Sequence, residues 1–457
     1  MKNYLTYLEA NWDFLDETTN GTNNHWGINI AYNGSYPFLA YQAYDNQLPT
    51  LLGGSGSMND PYLITSIEDL GWLSVNPTFW DAYFSQTCDI DASQTQNWNS
   101  GVGFIPIGTQ TDKFTGSYNG NHFEIQDLHI GLQSTEEVVG LFRYIDSANC
   151  ENIILTNVSV SGHWPVGALA GSCENSSVSN CSTSGNVSGY ISVGNLIGLT
   201  NNSTITNCYS AGSVAGTSAL GGLVGQVNYT NISNSYSNAS VTGSYVIGGL
   251  SGLLRYCNIE NCYSTGLIDG YTAVGGLTGD SNNTQIISSF WDIETSNQSI
   301  SSGGIGKTTA EMLSYSTYFD ATWDFLAESI NGTADIWGLN PQENNGYPFL
   351  AWQGFQHIAN IDSPENVVIT VTSNQLTITW DEVSAASSYK IFACETPNGE
   401  YIDVSSDGFF GEGRISAEIN SESKNNQLGV RNFSRTSHSW TSSVIPTTKF
   451  FSVKAVQ

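Results

Sequence analysis

Positive charge is scarce in this chain. Lys and Arg number 12 against 41 Asp and Glu in 457 residues, a formal net charge of −29. Such a surface repels phosphate backbones and anionic bilayers, which argues against nucleic acid and lipid headgroups as partners. Long apolar runs are also lacking. No stretch of 18 apolar residues occurs, so no segment qualifies as a membrane-spanning helix. No Cys-x-x-Cys pair is found among the eight cysteines, and none of the six histidines lies in an H-E-x-x-H arrangement. Zinc-ribbon and zincin chemistry lose their usual signatures. A D-x-D-x-D-G loop is missing too, which leaves only weak calcium candidates in the loop acids Asp89 and Asp91.

What is present points elsewhere. Glycine reaches 47 residues and aromatics 12%, whereas disordered acidic chains lack aromatics. Abundant Asn, Ser, Thr and β-branched residues, separated by turn formers, predict an all-β fold.

A 27-residue period organises the centre. Gly167, Gly194, Gly221, Gly248 and Gly275 each sit second in a box such as Leu220-Gly221-Gly222-Leu223-Val224-Gly225, and Val139–Phe142 is a degenerate first copy. Other columns keep the same step: Val178, Ile205, Ile232, Ile259 and Ile286, then Tyr209, Tyr236, Tyr263 and Phe290. A fixed period of this size means a solenoid. Helical repeats need long 3.6-period stretches, which are absent, and propeller blades need about 40–50 residues. Each copy instead shows three strand-like pieces, as in Thr204–Ser210, Ser213–Gly216 and Leu220–Val227. The expectation is a parallel β-helix with 27-residue coils, roughly nine of them, with identical residues stacked about 4.8 Å apart.

The period sets the domain boundaries. Residues 1–42 align without a gap onto 312–353, with Trp12-Asp13-Phe14 matching Trp323-Asp324-Phe325 and Tyr36–Ala40 matching Tyr347–Ala351. This gives 1–52 as a partial Trp-rich closing module plus linker, and 311–357 as a complete one. Residues 53–138 form the head of the β-helix, where Ser66-Ile67-Glu68-Asp69 opens a capping helix, and 139–310 carry the repeats. Because the second module follows an array, the first suggests that more of a larger polypeptide array precedes Met1. The export signal is then expected in that part, since Met1–Phe14 has no signal-peptide pattern.

The boxes, with the intervening Asn207–Ser210 and Asn261–Ser264, resemble the bacterial GLUG repeat. So do the head segment, in Asp60-Pro61-Tyr62, Asp89-Ile90-Asp91 and Phe114–His122, and the Trp-Asp-Phe to Tyr-Pro-Phe-Leu-Ala-Trp module. The resemblance implies a secreted or cell-surface protein, of the kind found in adhesin-like stalks and in immunoglobulin A peptidases. It implies little about activity. Residues 364–457 are similar to a fibronectin type III β-sandwich, through Trp380, Tyr389 and a closing Phe450–Val456 strand, although 403–440 depart from that pattern.

Catalysis would need groups that the sequence does not bring together. A glycan lyase or hydrolase needs opposed carboxyls or a base beside an acid cluster, and between Lys113 and Lys307 the basic residues are Arg143 and Arg255 alone. Cys181, Cys208 and Cys262 share one column with Ser235 and Ser289, which fits small buried thiols without redox chemistry. The sequence therefore reads as a non-enzymatic structural or adhesive rod that binds glycans or surface proteins, with no cofactor beyond a weak calcium site. The alternatives are a carbohydrate-active β-helix enzyme, and a passive stalk whose active head lies elsewhere.

Overall fold

The fold was analysed in a computed structural model. It describes residues 52–132, 138–327 and 331–358, together with short strands before 40 and after 367. Two compact units result, 1–309 and 310–457.

The first unit is a parallel β-solenoid. One face stacks nine parallel strands, from Tyr62–Ile64 through Tyr83–Gln86, Ser117–Asn119, Asn149–Glu151, Ser177–Ser179 and Thr204–Thr206 to Gln285–Ile287. A second face runs from Ile90–Asp91 to Ile305–Lys307, and a third holds six strands, Phe142–Asp146 to Thr278–Asn282. A short fourth strip stacks Ile191–Gly194, Ser218–Gly221, Tyr245–Gly248 and Thr272–Gly275. About six turns are complete on all main faces. The coil therefore has four strand segments where the sequence suggested three. The extra breaks fall at Asn207-Cys208, where Asn207 has a left-handed φ of 53°, and at Gly222-Leu223 between the fourth strip and the third face.

Register places the periodic columns directly over one another. Ile205, Ile232 and Ile259 pair in succession, continuing to Val178 on one side and Ile286 on the other. Tyr209, Tyr236 and Tyr263 do the same, with rings stacked 5.1 and 4.8 Å apart. The interior is mainly apolar: Leu196, Leu223, Leu250 and Leu277 are all buried.

Corners are turned by asparagine more than by glycine. Asn180, Asn207, Asn234 and Asn261 all have positive φ, which Asn tolerates best after Gly. Their amides also form a ladder along the rod, with Asn207 Nδ2 donating to Asn180 Oδ1 at 3.1 Å and Asn261 Nδ2 to Asn234 Oδ1 at 3.4 Å. The box glycines do something different. Their φ values are ordinary, but a Cβ on Gly221 would stand 2.1 Å from Val224 O and 2.6 Å from Ser251 Cα. The fourth strip and third face are pressed together backbone to backbone, and only hydrogen fits between them.

A hydroxyl and thiol ladder closes each coil at the first corner. Cys208 N–H donates to Ser235 Oγ and Cys262 N–H to Ser289 Oγ, both at 3.1 Å, while Ser235 Oγ donates to Ser233 O at 2.8 Å. A second ladder, Ser176, Ser203 and Thr230, repeats the pattern one corner back: Ser176 N–H donates to Ser203 Oγ and Ser203 N–H to Thr230 Oγ1, each at 3.1 Å. Removing one rung orphans a buried N–H, which costs about 1–3 kcal/mol. Ser235→Ala should therefore lower stability by that amount in urea unfolding. Ser235→Cys should cost less, since Cys occupies this column at 208 and 262. Equal losses for the two would show that the hydroxyl's bonds do not matter.

At the head, Ser66 caps the helix Ile67–Val75 by accepting from Asp69 N–H at 3.2 Å, and the Asp69 carboxylate turns back to Thr65 N at 2.8 Å. Ile67, Leu70 and Leu73 of that helix join the core of the coils. The stretch Pro49–Gly56, which reads as linker, is built into the coil at its second half: Leu52 is buried and Gly53 O accepts from Leu63 N–H at 2.8 Å.

The second unit contains the closing module. Trp323 and Trp337 are fully buried with ring centroids 4.4 Å apart. Trp337–Gly338 pairs antiparallel with Phe349–Leu350, and Trp26–Gly27 pairs with Phe38–Leu39 in the same register, 311 residues earlier. After 367 the strands form two three-stranded antiparallel sheets and a hairpin. The side-chain packing that a fibronectin-like sandwich would need lies outside the described residues.

Candidate functional site

The outward faces of the solenoid carry whatever chemistry it offers. Small hydroxyl and amide side chains dominate them, because the pleat sends alternate residues of each strand outward and Ile, Val or Cys inward.

The acids singled out in the sequence are occupied by local structure. Asp89 Oδ1 accepts from Glu124 N–H at 2.9 Å, and Asp91 Oδ1 from Ser93 N–H at 2.9 Å. The hydroxyl and backbone of Ser93 hold the Asp91 carboxyl below its ordinary pKa, so it is an anion and no proton donor near neutrality. Arg143 belongs to the third face, in Phe142–Asp146, whereas Asp91 lies on the second, so Arg143 is not brought beside that acid. Among the described residues, no group of three or more His, Cys, Asp or Glu is placed to hold a metal ion. His122 occupies the left-handed turn with φ 61°, and burial lowers its imidazole pKa.

The thiols are equally committed. Seven described cysteines are free and six are buried. Burial raises Cys173 to about 11 and Cys262 to about 12, and pushes Cys150 and Cys181 well above the ordinary thiol value. They stay protonated and poorly nucleophilic at neutral pH.

One cation organises a cluster. Asp146 and Glu174 face each other in register on adjacent strands, a repulsive pair, and Lys113 Nζ bridges them at 3.1 and 2.6 Å. Asn175 and then Lys113 hold the Asp146 carboxyl below its ordinary pKa, while Glu174 and Asp146 raise that of Lys113. A depressed carboxyl stabilises the fold above its unfolded pKa and loses that contribution as pH falls through the folded value. Lys113→Met should thus lower the melting temperature at pH 7, by a surface-pair energy of about 1 kcal/mol or less, and the deficit should fade as acid protonates the Asp146 carboxyl. A deficit that persists in acid would mean that Lys113 acts through packing.

Two outward features had no signature in the sequence. The first is an aromatic ridge beside the fourth strip, where Trp164, Tyr190, Tyr245 and Tyr271 are exposed by 47, 48, 52 and 86%. Tyr190 and Tyr271 stand three coils apart in one column, and Trp164 and Tyr245 three coils apart in the next, so no single 27-residue column reveals them. The second is a groove of about 760 Å³ along the first face, lined by residues such as Asp81, Tyr83, Asn149, Glu151 and Thr204. It sits where the head meets the repeats. Rung spacing there is irregular, 34 residues from Tyr83 to Ser117 and 32 from Ser117 to Asn149, which hides the alignment from a search at fixed period.

The GLUG motif family matches residues 216–242 and 243–269, which are two successive coils of this solenoid. These two coils of the β-helix are GLUG repeats. Halomucin of Haloquadratum walsbyi is 40% identical over 137 residues, which is 29% of this chain. The match spans 2% of halomucin's length. Among solved structures, a chain described as IgA1 Protease aligns over 56% of this chain and 20% of its own, at 19% identity and a TM-score of 0.38. Within the GLUG coils the motif's residues now have physical roles: Gly for close backbone approach, Asn for the left-handed corner, Cys or Ser for the ladder.

Proposed function

We propose that this chain is an extracellular or cell-surface β-helical rod that is structural and adhesive, binding glycans or protein partners without catalysis. The observation that carries the reading is how its ionisable groups are employed. Asp89, Asp91, Asp146 and Glu174 cap backbone or balance Lys113, whereas the features left facing solvent are an aromatic ridge and polar hydroxyl rows. Exposed Trp and Tyr rings present an apolar face with a polar edge, which suits sugar rings and protein surfaces alike. The likeness to a protein called halomucin is in keeping with a surface location. Residues 364–457 are proposed as a fibronectin type III-like sandwich, and the chain as one part of a longer array.

The test is a panel of neutral and uronate-containing glycans, assayed with and without calcium for retention and for new products. Retention without new reducing ends or unsaturated sugars is expected, and chelation should leave both binding and melting temperature unchanged. Turnover abolished by Asp89→Asn, Asp91→Asn or Arg143→Ala would promote the carbohydrate-active enzyme in its place.

A further inference from the structure

The groove on the first face contains a row of unspent hydrogen-bonding groups. Tyr83, Ser117, Asn149, Ser177 and Thr204 are paired one to the next in register, so their side chains form a single straight outward column along the rod axis. All five line the groove. The neighbouring outward column behaves differently, because Asn119 Nδ2 is bonded to Glu151 Oε1 at 3.0 Å and Thr206 to Ser233 at 3.0 Å. Among the described residues, the side chains of Ser117, Asn149, Ser177 and Thr204 make no hydrogen bond to protein. Four steps at about 4.8 Å make the row roughly 19 Å long.

We propose that this row is a binding site for an extended, non-anionic glycan lying parallel to the rod axis. The inference rests on the adhesive reading above and specifies its ligand. A pyranose chain advances by a step comparable to the rung spacing, so successive sugars would meet successive hydroxyl or amide side chains. Tyr83, 38% exposed at the head end, supplies a ring on which one sugar face can stack. Charge sets the selectivity. The groove is walled by the carboxylates of Asp81 and Glu151 and no Lys or Arg lines it, so hydroxyl and amine donors are welcomed and uronates repelled.

Calorimetric titration of the full chain with cellohexaose, chitohexaose, a glucosamine hexamer and hexagalacturonate tests this. Binding of at least one of the first three, with none to hexagalacturonate, is the expected result. Tyr83→Ala and Asn149→Ala should each weaken it by tenfold or more, while Tyr271→Ala on the distant ridge should not. Should Tyr83→Ala perturb the fold, Ser177→Phe obstructs the groove from an outward position and should abolish binding. Failure of all four sugars to bind, or equal binding of hexagalacturonate, overturns the site and leaves the rod reading intact. Binding with product release, lost in Tyr83→Ala, supports the site and overturns the non-catalytic reading instead.

Discussion

Gly221→Ala should destabilise the solenoid by about 3 kcal/mol or more, although it adds one methyl group to a protein of 457 residues. The reason is what that methyl would meet. Val224 O at 2.1 Å and Ser251 Cα at 2.6 Å are both backbone atoms, one in the same coil and one in the next. A side chain can rotate away from a clash, whereas a strand held by ladder hydrogen bonds on both sides cannot. Relief requires separating the fourth strip from the third face, and the same contact recurs at Gly194, Gly248 and Gly275, so the displacement is resisted above and below. Gly53→Ala is the control. Its Cβ would stand 3.2 Å from the tip of the Leu63 side chain, which can yield. Denaturant unfolding should show a large loss for the first and a small one for the second. Comparable losses would mean that close backbone approach is not what demands glycine in the box, since the unfolded-state effect of Gly→Ala is stabilising at both sites.

That contrast shows where the sequence was informative. A glycine every 27 residues announced the solenoid, because a rod built from identical coils must repeat its tightest point. Which constraint each glycine met could not be read from the period. Corner-turning and close approach call for the same residue, and only the φ values separate the box glycines from the left-handed corners held by Asn180 and Asn207. The inward columns were legible for the same reason: Ile205, Ile232 and Ile259 must stack if the coil length is constant. The groove was hidden because its row crosses the head, where loops of unequal length break the period while the strands stay in register. Ridge tyrosines were hidden differently. Tyr190 and Tyr271 share a column with His163, Thr217 and Ser244, and Tyr245 shares one with Trp164, Ile191, Ser218 and Thr272, so each registers as variation within the repeat. The proposed binding features therefore sit largely at the exceptions to the repeat, which periodicity alone does not pick out.

The inward column yields the second large effect. Ile232 is fully buried and paired in register between Ile205 and Ile259. Ile232→Asp would place a carboxylate there with aliphatic groups above and below, costing several kcal/mol and leaving that coil unformed. Ile232→Val, which removes one methyl from the same stack, should cost about 0.5–1.5 kcal/mol. The two differ in pH response as well as size. Burial raises the folded-state pKa of the introduced acid above its unfolded value of about 3.9, so the folded state binds more protons than the unfolded one between those values. The deficit of Ile232→Asp should then shrink as pH falls through the raised pKa, while that of Ile232→Val stays constant. Because each coil rests mainly on its neighbours, the damage should also be local at first, with amides in 204–264 exchanging before those in the head. Uniform exchange along the whole rod would show that the coils unfold as one cooperative block, and the nearest-neighbour picture of this solenoid would have to be abandoned.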